Sequence, residues 1–183
     1  MVRPSQTSKH RRLMSISRPP QSVARFSPVC ELTDALLVNP ADGRVVSNFI
    51  VQALRGEDIT VYGDGTQTRS FQYIHDLVDG LIALMNSDES RPVNIGNSDE
   101  FTIKEFAELV REIVDKVQME DGVTASRQAR IIHKPIPEDD PKRRRPDTTR
   151  AKESLGWQPR WSVRMGVEEM IRYYKAKLAE GSI

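Results

Sequence analysis

The chain has 183 residues, of which 38% are hydrophobic and 29% are charged, and its formal net charge is +1 at pH 7. The one cysteine, Cys30, excludes an intrachain disulfide and a thiolate metal cluster, and it favours a reducing compartment, by default the cytoplasm. No apolar stretch approaches the length of a membrane-spanning helix, and the size suits one domain, or one domain with a tail.

The first forty residues differ from the rest in charge. Residues 1–40 hold 6 Lys or Arg and 2 Asp or Glu, whereas residues 41–183 hold 21 and 24. We predict that residues 1–41 form a disordered basic tail, because they offer little apolar surface to bury. A targeting presequence is the alternative, although Pro19 and Pro20 would interrupt its helix. The acidic body argues against a nucleic-acid partner.

From residue 42 onward the hydrophobic pattern predicts a folded α/β unit. It begins with a helix over 45–54 that stops at Gly56, a strand over 59–62 and a second strand over 70–74. A helix follows, with Asp76 as its N-cap, and then a strand over 93–95 and a long helix that opens at a Thr102/Glu105 capping box. The last predicted elements are a strand over 129–133, a short helix ending at 155 and a helix over 163–178.

The predicted strands are short and few. Strands of this length do not make an independent sheet, so we expect them to extend or cover a larger one.

A glycine-rich turn precedes a lone arginine in the middle of the chain. Gly63 and Gly65 would let backbone amides approach an anion, and the Arg69 guanidinium matches phosphate oxygens bidentately. This pattern indicates a phosphate site. The alternative is a surface arginine beside an ordinary hairpin turn.

A second basic cluster covers residues 142–145, with the sequence KRRR. Four consecutive cations repel one another, so a nearby anion would stabilise them. A solvated charge run and a nuclear-localisation patch are the alternatives. The acids over 138–140 neutralise much of the field of this cluster and argue against a nucleic-acid stripe.

Metal and catalytic patterns are weak. His10, His75 and His133 lie far apart without metal-ligand spacing, so no metal site is predicted. We interpret Asp76 and Asp79 as a helix cap and a solvent-facing residue. Trp157 and Trp161 are expected to pack against the last helix, and no catalytic residue is assigned.

Three segments carry a resemblance to a known family: GRVVSNFIVQALRGEDITVYGDGTQTRSFQYIHDLVDGLIALMNS, PVNIGNSDEFTIKEFAELVREIVDK and PEDDPKRRRPDTTRAKESLGWQP. They resemble the UDP-glucuronate decarboxylases, also called UDP-xylose synthases, of the extended short-chain dehydrogenase/reductase family. The resemblance runs from about residue 42 to 174 and is interrupted near 120–130. The Asp-Asp-Pro-x-x-Arg-x-Pro-Asp run favours this family over dTDP-glucose dehydratases and UDP-galactose epimerases.

The resemblance implies an α/β fold, namely the C-terminal substrate-binding lobe of an NAD-dependent epimerase/dehydratase without its Rossmann half, over residues 42–183. By the same resemblance, Arg69 and Arg144 grip the diphosphate of a UDP-sugar. Asp147 helps to hold the nucleoside end, and Tyr62 and Gln67 line the same pocket.

The activity implied by the resemblance is that of a carboxy-lyase that converts UDP-glucuronate to UDP-xylose and CO₂, with NAD as cofactor in the full-length family. No Gly-x-x-Gly-x-x-Gly follows a strand here, and the Tyr173/Lys177 spacing is interpreted as a coincidence on the last helix. We therefore expect this chain alone neither to bind NAD nor to decarboxylate.

Several alternatives stay open at this point. In one alternative, the chain is a fragment of another UDP- or dTDP-sugar epimerase or dehydratase. In the other, it is a non-catalytic regulatory or interaction protein. A truncated gene model is the favoured explanation for the missing half. Family members form homodimers, which we do not expect of this chain, and they include Golgi-membrane forms.

Overall fold

The structure is a computed structural model that describes residues 24–26, 30–32, 44–122, 128–135 and 142–182. Within these residues the strands are β1 (Ala24–Phe26), β2 (Cys30–Leu32), β3 (Ile59–Tyr62), β4 (Thr68–Tyr73), β5 (Val93–Ile95), β6 (Glu100–Thr102), β7 (Ile131–Lys134) and β8 (Arg143–Arg144). The helices are α1 (Val45–Leu54), α2 (Ile74–Met85), α3 (Ile103–Glu120), α4 (Thr149–Leu155) and α5 (Val163–Ala179).

The described strands form three small sheets rather than one. β3 pairs in parallel with β7, and β1 pairs in parallel with β5. The largest sheet is built around β4, which pairs with β2 in parallel, with β6 antiparallel and with β8 in parallel. Because β6 and β8 both pair with the first residues of β4, this strand lies between them. β4 is therefore the element that brings distant parts of the chain together.

Two described strands fall inside the segment that the sequence assigns to a basic tail. β1 runs alongside β5 and β2 alongside β4, each in a three-residue parallel register. The remainder of residues 1–41 lies outside the described part of the chain. The predicted disorder of that segment and the predicted boundary after residue 41 therefore stay predictions.

The main core lies between α1, α3, α5 and one face of β4. Phe71 of β4 stacks on Phe106 of α3, with 3.9 Å between ring centroids, and Phe49 of α1 lies 6.2 Å from Phe106. Tyr174 of α5 is also buried. Burial of these aromatic rings holds β4 against the helical layer. The first residues of β4 pair with β6 and β8 instead.

The long helix begins as the sequence predicts. The Thr102 hydroxyl accepts a hydrogen bond from the Glu105 amide at 3.1 Å, and the Glu105 carboxylate accepts one from the Thr102 amide at 2.8 Å. This reciprocal pair is a capping box. It fixes the point at which β6 ends and α3 begins.

Asp76 is not the N-cap that the sequence predicts. The helix begins earlier, at Ile74, and Asp76 lies in its first turn, where it is 2% exposed. Its carboxylate accepts hydrogen bonds from the backbone amides of Arg160 (3.0 Å) and Trp161 (2.9 Å). A carboxylate is retained there because these amides and the helix N-terminus stabilise its charge.

A second, smaller core forms around α2. Trp157 packs with Leu84, Val93 and Ile95, and its indole Nε1 donates to the Asp76 carbonyl at 3.1 Å. A Cβ on Gly80 would come within 2.9 Å of the Trp157 ring. Trp157 therefore packs on α2 and β5, whereas the sequence predicts that it packs on the last helix.

The described residues include neither a membrane-spanning helix nor a metal cluster. Among these residues, no helix combines the length and the apolar character that crossing a membrane requires. Within the same ranges there is no cluster of His, Cys, Asp and Glu side chains arranged to hold a metal ion.

Candidate anion-binding site

The glycine-rich turn lies between β3 and β4, as the sequence predicts. Gly63 and Gly65 both have positive φ, at 70° and 78°. Asp64 accepts hydrogen bonds from the amide and hydroxyl of Thr66, which lowers the pKa of its carboxyl group. His133 Nδ1 lies 2.8 Å from the Gly63 carbonyl and must donate to it. These hydrogen bonds hold the turn in one conformation, from which the chain continues into β4.

The structure brings together the two arginines assigned to the diphosphate. Arg69 of β4 and Arg144 of β8 are direct register partners in the parallel pair. Partners in adjacent strands lie about 4.8 Å apart and have side chains on the same face. Guanidinium groups on one face suit the binding of an anion, because each can donate two parallel hydrogen bonds. We call Arg69 and Arg144 the arginine pair.

Arg69 also bonds to its own strand. Its Nη1 donates to the Thr68 carbonyl at 2.8 Å, which orients the guanidinium along β4. Arg144 is exposed to solvent. Like charges directly across a ladder repel each other.

A carboxylate on the opposite face of β4 holds β8 in place. Glu100 of β6 accepts hydrogen bonds from Arg143 Nε (2.9 Å) and Nη2 (2.6 Å) and from the Thr68 hydroxyl (2.9 Å). Arg145 Nη1 lies 3.7 Å from the same carboxylate. We call this arrangement the Glu100 clasp. It ties β6, β4 and β8 together on the face that does not carry the arginine pair.

The residues after β8 are fixed against β5 and the chain that follows it. Pro146 is buried, and its ring lies so close to Gly96 that a Cβ there would come within 2.8 Å of it. Asn94 Nδ2 donates to the Asp147 carbonyl at 3.0 Å. The segment 143–147 is thus held at both ends.

Asp147 lies exposed at the start of α4. Its carboxylate accepts a hydrogen bond from the Thr149 amide at 3.0 Å. This bond, together with the nearby Arg150 and Arg145, lowers the pKa of the Asp147 carboxyl group. The lowered pKa keeps the Asp147 carboxyl group ionised at neutral pH.

Tyr62 and Gln67 lie beside the glycine turn and contact each other. Gln67 is 7% exposed, and its Nε2 donates to the Tyr62 carbonyl at 2.8 Å. Tyr62 is 45% exposed at the end of β3. The observed contact braces the turn, and the assignment of both residues to the substrate pocket stays a prediction.

Sequence reasoning missed two residues of this region, Glu100 and Asn94. Each acts on the segment 143–147 from more than forty positions away. No local spacing signals such contacts. The one available hint was the position of each residue in or just after the Val-Asn-Ile-Gly strand that the family resemblance includes.

Three of the described glycines lack the open space of a pyrophosphate cradle. A pyrophosphate cradle needs glycines whose missing side chains leave room for the cofactor. Here the space beside Gly65, Gly80 and Gly96 is filled by Lys104, by Ile95 and Trp157, and by Pro146, respectively.

We expect the stability that the Glu100 clasp contributes to fall in acid. The hydrogen bonds from Arg143 and then from Thr68 lower the pKa of Glu100 from 4.5 to about 2. A depressed folded-state pKa contributes stability that is fully present above pH 4.5 and is lost as the pH falls toward 2. We expect the Glu100→Gln variant to show a shallower loss of stability between pH 5 and 2, measured by thermal unfolding. An unchanged slope would contradict this expectation.

Comparison with known proteins agrees with this architecture. The family model described as GDP-mannose 4,6 dehydratase matches residues 39–170. The chain is similar to UDP-glucuronic acid decarboxylase 1 of Danio rerio, with 52% identity over 137 residues, which is 75% of this chain and 30% of the relative. It is similar to UDP-glucuronic acid decarboxylase 2 of Arabidopsis thaliana, with 48% identity over 75% of this chain and 28% of the relative.

Solved structures show the same fold. A UDP-glucose 4-epimerase from Thermotoga maritima, solved with UDP-glucose, matches with a TM-score of 0.69 and 28% identity over 86% of this chain and 46% of that one. A UDP-glucuronic acid 4-epimerase from Bacillus cereus, solved with UDP-glucuronic acid and NAD, matches with a TM-score of 0.66 and 24% identity, with the same coverage.

Fold and sequence together define an α/β protein that resembles the extended short-chain epimerases and dehydratases. The chain belongs to the GDP-mannose 4,6 dehydratase family, and its curated relatives are UDP-glucuronic acid decarboxylases. It spans about 30% of the length of those relatives.

Proposed function

We propose that this chain binds the diphosphate of a UDP-sugar with the arginine pair, as the C-terminal part of a UDP-glucuronate decarboxylase. The observation that carries this proposal is the direct pairing of Arg69 with Arg144 in the β4–β8 ladder. Both arginines come from segments that resemble the relatives, and two neighbouring solved structures contain UDP-sugars. Asp147, at the end of the same segment, is available to the nucleoside.

The electrostatics support a ligand with two or more negative charges. The acidic Glu100 offsets Arg143 and Arg145 on the opposite face, whereas the arginine pair faces away from that carboxylate. Charge-assisted hydrogen bonds to an anion contribute about 1.5 to 3 kcal/mol each. Two such contacts contribute about 3 to 6 kcal/mol, and contacts to the nucleoside would supply the rest of the roughly 8.2 kcal/mol that a Kd of about 1 μM requires.

The test is calorimetric titration of the purified chain with UDP. We expect micromolar binding that weakens at least about tenfold in Arg69→Ala. The matched control is Arg172→Ala, which removes an exposed arginine of α5 that is paired with Glu168 and Glu120 at 2.9 and 3.1 Å. Absence of binding at millimolar UDP, or an equal loss in the control, would overturn the proposal.

We further propose that the chain by itself has no decarboxylase activity and does not retain NAD. Tyr173 and Lys177 lie on α5, where the Lys177 Nζ is 5.9 Å from the centroid of the Tyr173 ring and is ion-paired with Glu180 at 2.7 Å. We interpret this spacing as two neighbours on one helix face rather than as a catalytic pair. Release of CO₂ from UDP-glucuronate by the purified chain with added NAD would contradict this proposal.

A further inference from the structure

The segment that carries Arg144 does not determine its own register. β8 has two residues, and the run 142–145 offers a cation at each position. A slip of one residue in a strand moves every side chain to the opposite face. Such a slip would replace Arg144 by Arg143 or Arg145 opposite Arg69, with little change in composition. Contacts outside β8 must therefore select the observed register, and the packing of Pro146 against Gly96 is one of them.

We propose that Glu100 is a positioning residue that selects this register and thereby holds Arg144 beside Arg69. The proposal rests on the proposed function of the arginine pair and names a residue that acts on the pair from the other face of β4. Glu100 touches neither arginine of the pair in the described contacts. It acts through the two residues that flank Arg144.

The geometry explains how a carboxylate at this position favours one register of β8 over the others. Side chains alternate faces along β8, so Arg143 and Arg145 lie on one face and Arg144 on the other. Glu100 engages both flanking arginines, with a bidentate contact to Arg143 and a longer ion pair to Arg145. A slip in one direction would put Pro146 where Arg145 stands, and a slip in the other would put Lys142, which lacks the guanidinium fork, where Arg143 stands. The hydrogen bond from Thr68 anchors the carboxylate to β4 itself.

The positioning role and a purely electrostatic role predict opposite signs. Glu100 is a negative charge close to a site that binds an anion, so electrostatics alone predicts tighter UDP binding after its removal. Positioning predicts weaker binding, because Arg144 no longer stays beside Arg69. The sign of the change therefore separates the two interpretations.

The first experiment is UDP titration of Glu100→Ala and of the milder Glu100→Gln. We expect about tenfold weaker binding in Glu100→Ala and a smaller loss in Glu100→Gln, which keeps an acceptor oxygen. In an Arg144→Ala background the same Glu100→Ala change should alter affinity by less than about twofold, because its effect passes through Arg144. Unchanged or tighter binding in Glu100→Ala would overturn the proposal.

The matched control is Asp58→Ala. Asp58 forms a bidentate pair with Arg130, at 3.3 and 3.1 Å, beside the β3–β7 pair. Its side chain has 21% exposure, against 19% for Glu100. Asp58→Ala should lower stability by a similar amount and leave UDP affinity unchanged. Equal loss of affinity in both variants would indicate general destabilisation and would count against positioning.

A second experiment measures the register without a ligand. The Thr68 amide donates to the Lys142 carbonyl at 2.9 Å, which is a bond between β4 and the start of β8. Its hydrogen exchange should accelerate at least about tenfold in Glu100→Ala and remain unchanged in Asp58→Ala. If the unsubstituted chain fails to bind UDP, the proposed function fails, and this exchange rate alone decides the positioning role. An unchanged rate in Glu100→Ala would overturn it.

Discussion

The Arg69→Ala, Arg144→Ala double variant is expected to bind UDP at least about 100-fold more weakly than the unsubstituted chain. The two arginines are register partners on one face of β4, so we expect them to act on the same diphosphate. Because they share one ligand, the double loss should differ from the product of the two single losses. Calorimetric titration of the four proteins of this cycle measures the coupling.

The same variants separate binding from folding. Arg144 is exposed, and its removal relieves like-charge repulsion across the ladder. We therefore expect Arg144→Ala to leave the unfolding temperature unchanged or to raise it slightly. A fall in unfolding temperature that matches the loss of affinity would contradict a direct role in binding.

Added salt should weaken the binding of UDP to the unsubstituted chain, since exposed charges are screened.

The Asp76→Ala variant is expected to lose about 3 kcal/mol of stability and roughly 10 °C in Tm. Asp76 is buried, and its carboxylate is the acceptor for the backbone amides of Arg160 and Trp161. Alanine would leave both amides without a partner and would release the loop that carries Trp157. Thermal unfolding followed by circular dichroism measures the change.

The control for this variant lies on the same helix. Asp79 is one turn further along α2 and is exposed. Asp79→Ala should change stability by no more than about 0.5 kcal/mol. A comparable effect of the two substitutions would show that helix charge, rather than the buried acceptor, accounts for the result.

Local sequence signals predicted much of the fold. The α3 capping box, the α5 burial pattern and the extent of β3 and β5 all follow from residues close together in the chain. Each of these signals depends on a period or on a spacing of three or four residues. The prediction for α2 was less accurate because Asp76 is a good N-cap residue by type. Its actual partners lie in the loop before α5.

The candidate site also combines features that the sequence predicts with features that it does not. The family resemblance selects Arg69 and Arg144, but it does not say that they are direct neighbours across a strand pair. Composition does not reveal that Glu100 binds Arg143 rather than Arg144 either. Both facts depend on strand register, which is set by contacts between segments that are distant in sequence.

The β4–β8 pairing also has a kinetic consequence. The pair closes a long loop, so we expect its contacts to form after the local helices, among the non-local contacts that slow folding. A ligand that bridges Arg69 and Arg144 binds only the assembled state and stabilises it by mass action. If the pairing is absent from the folding transition state, such a ligand would slow unfolding and leave the folding rate nearly unchanged. The lifetime of the folded chain would then depend on the concentration of its ligand.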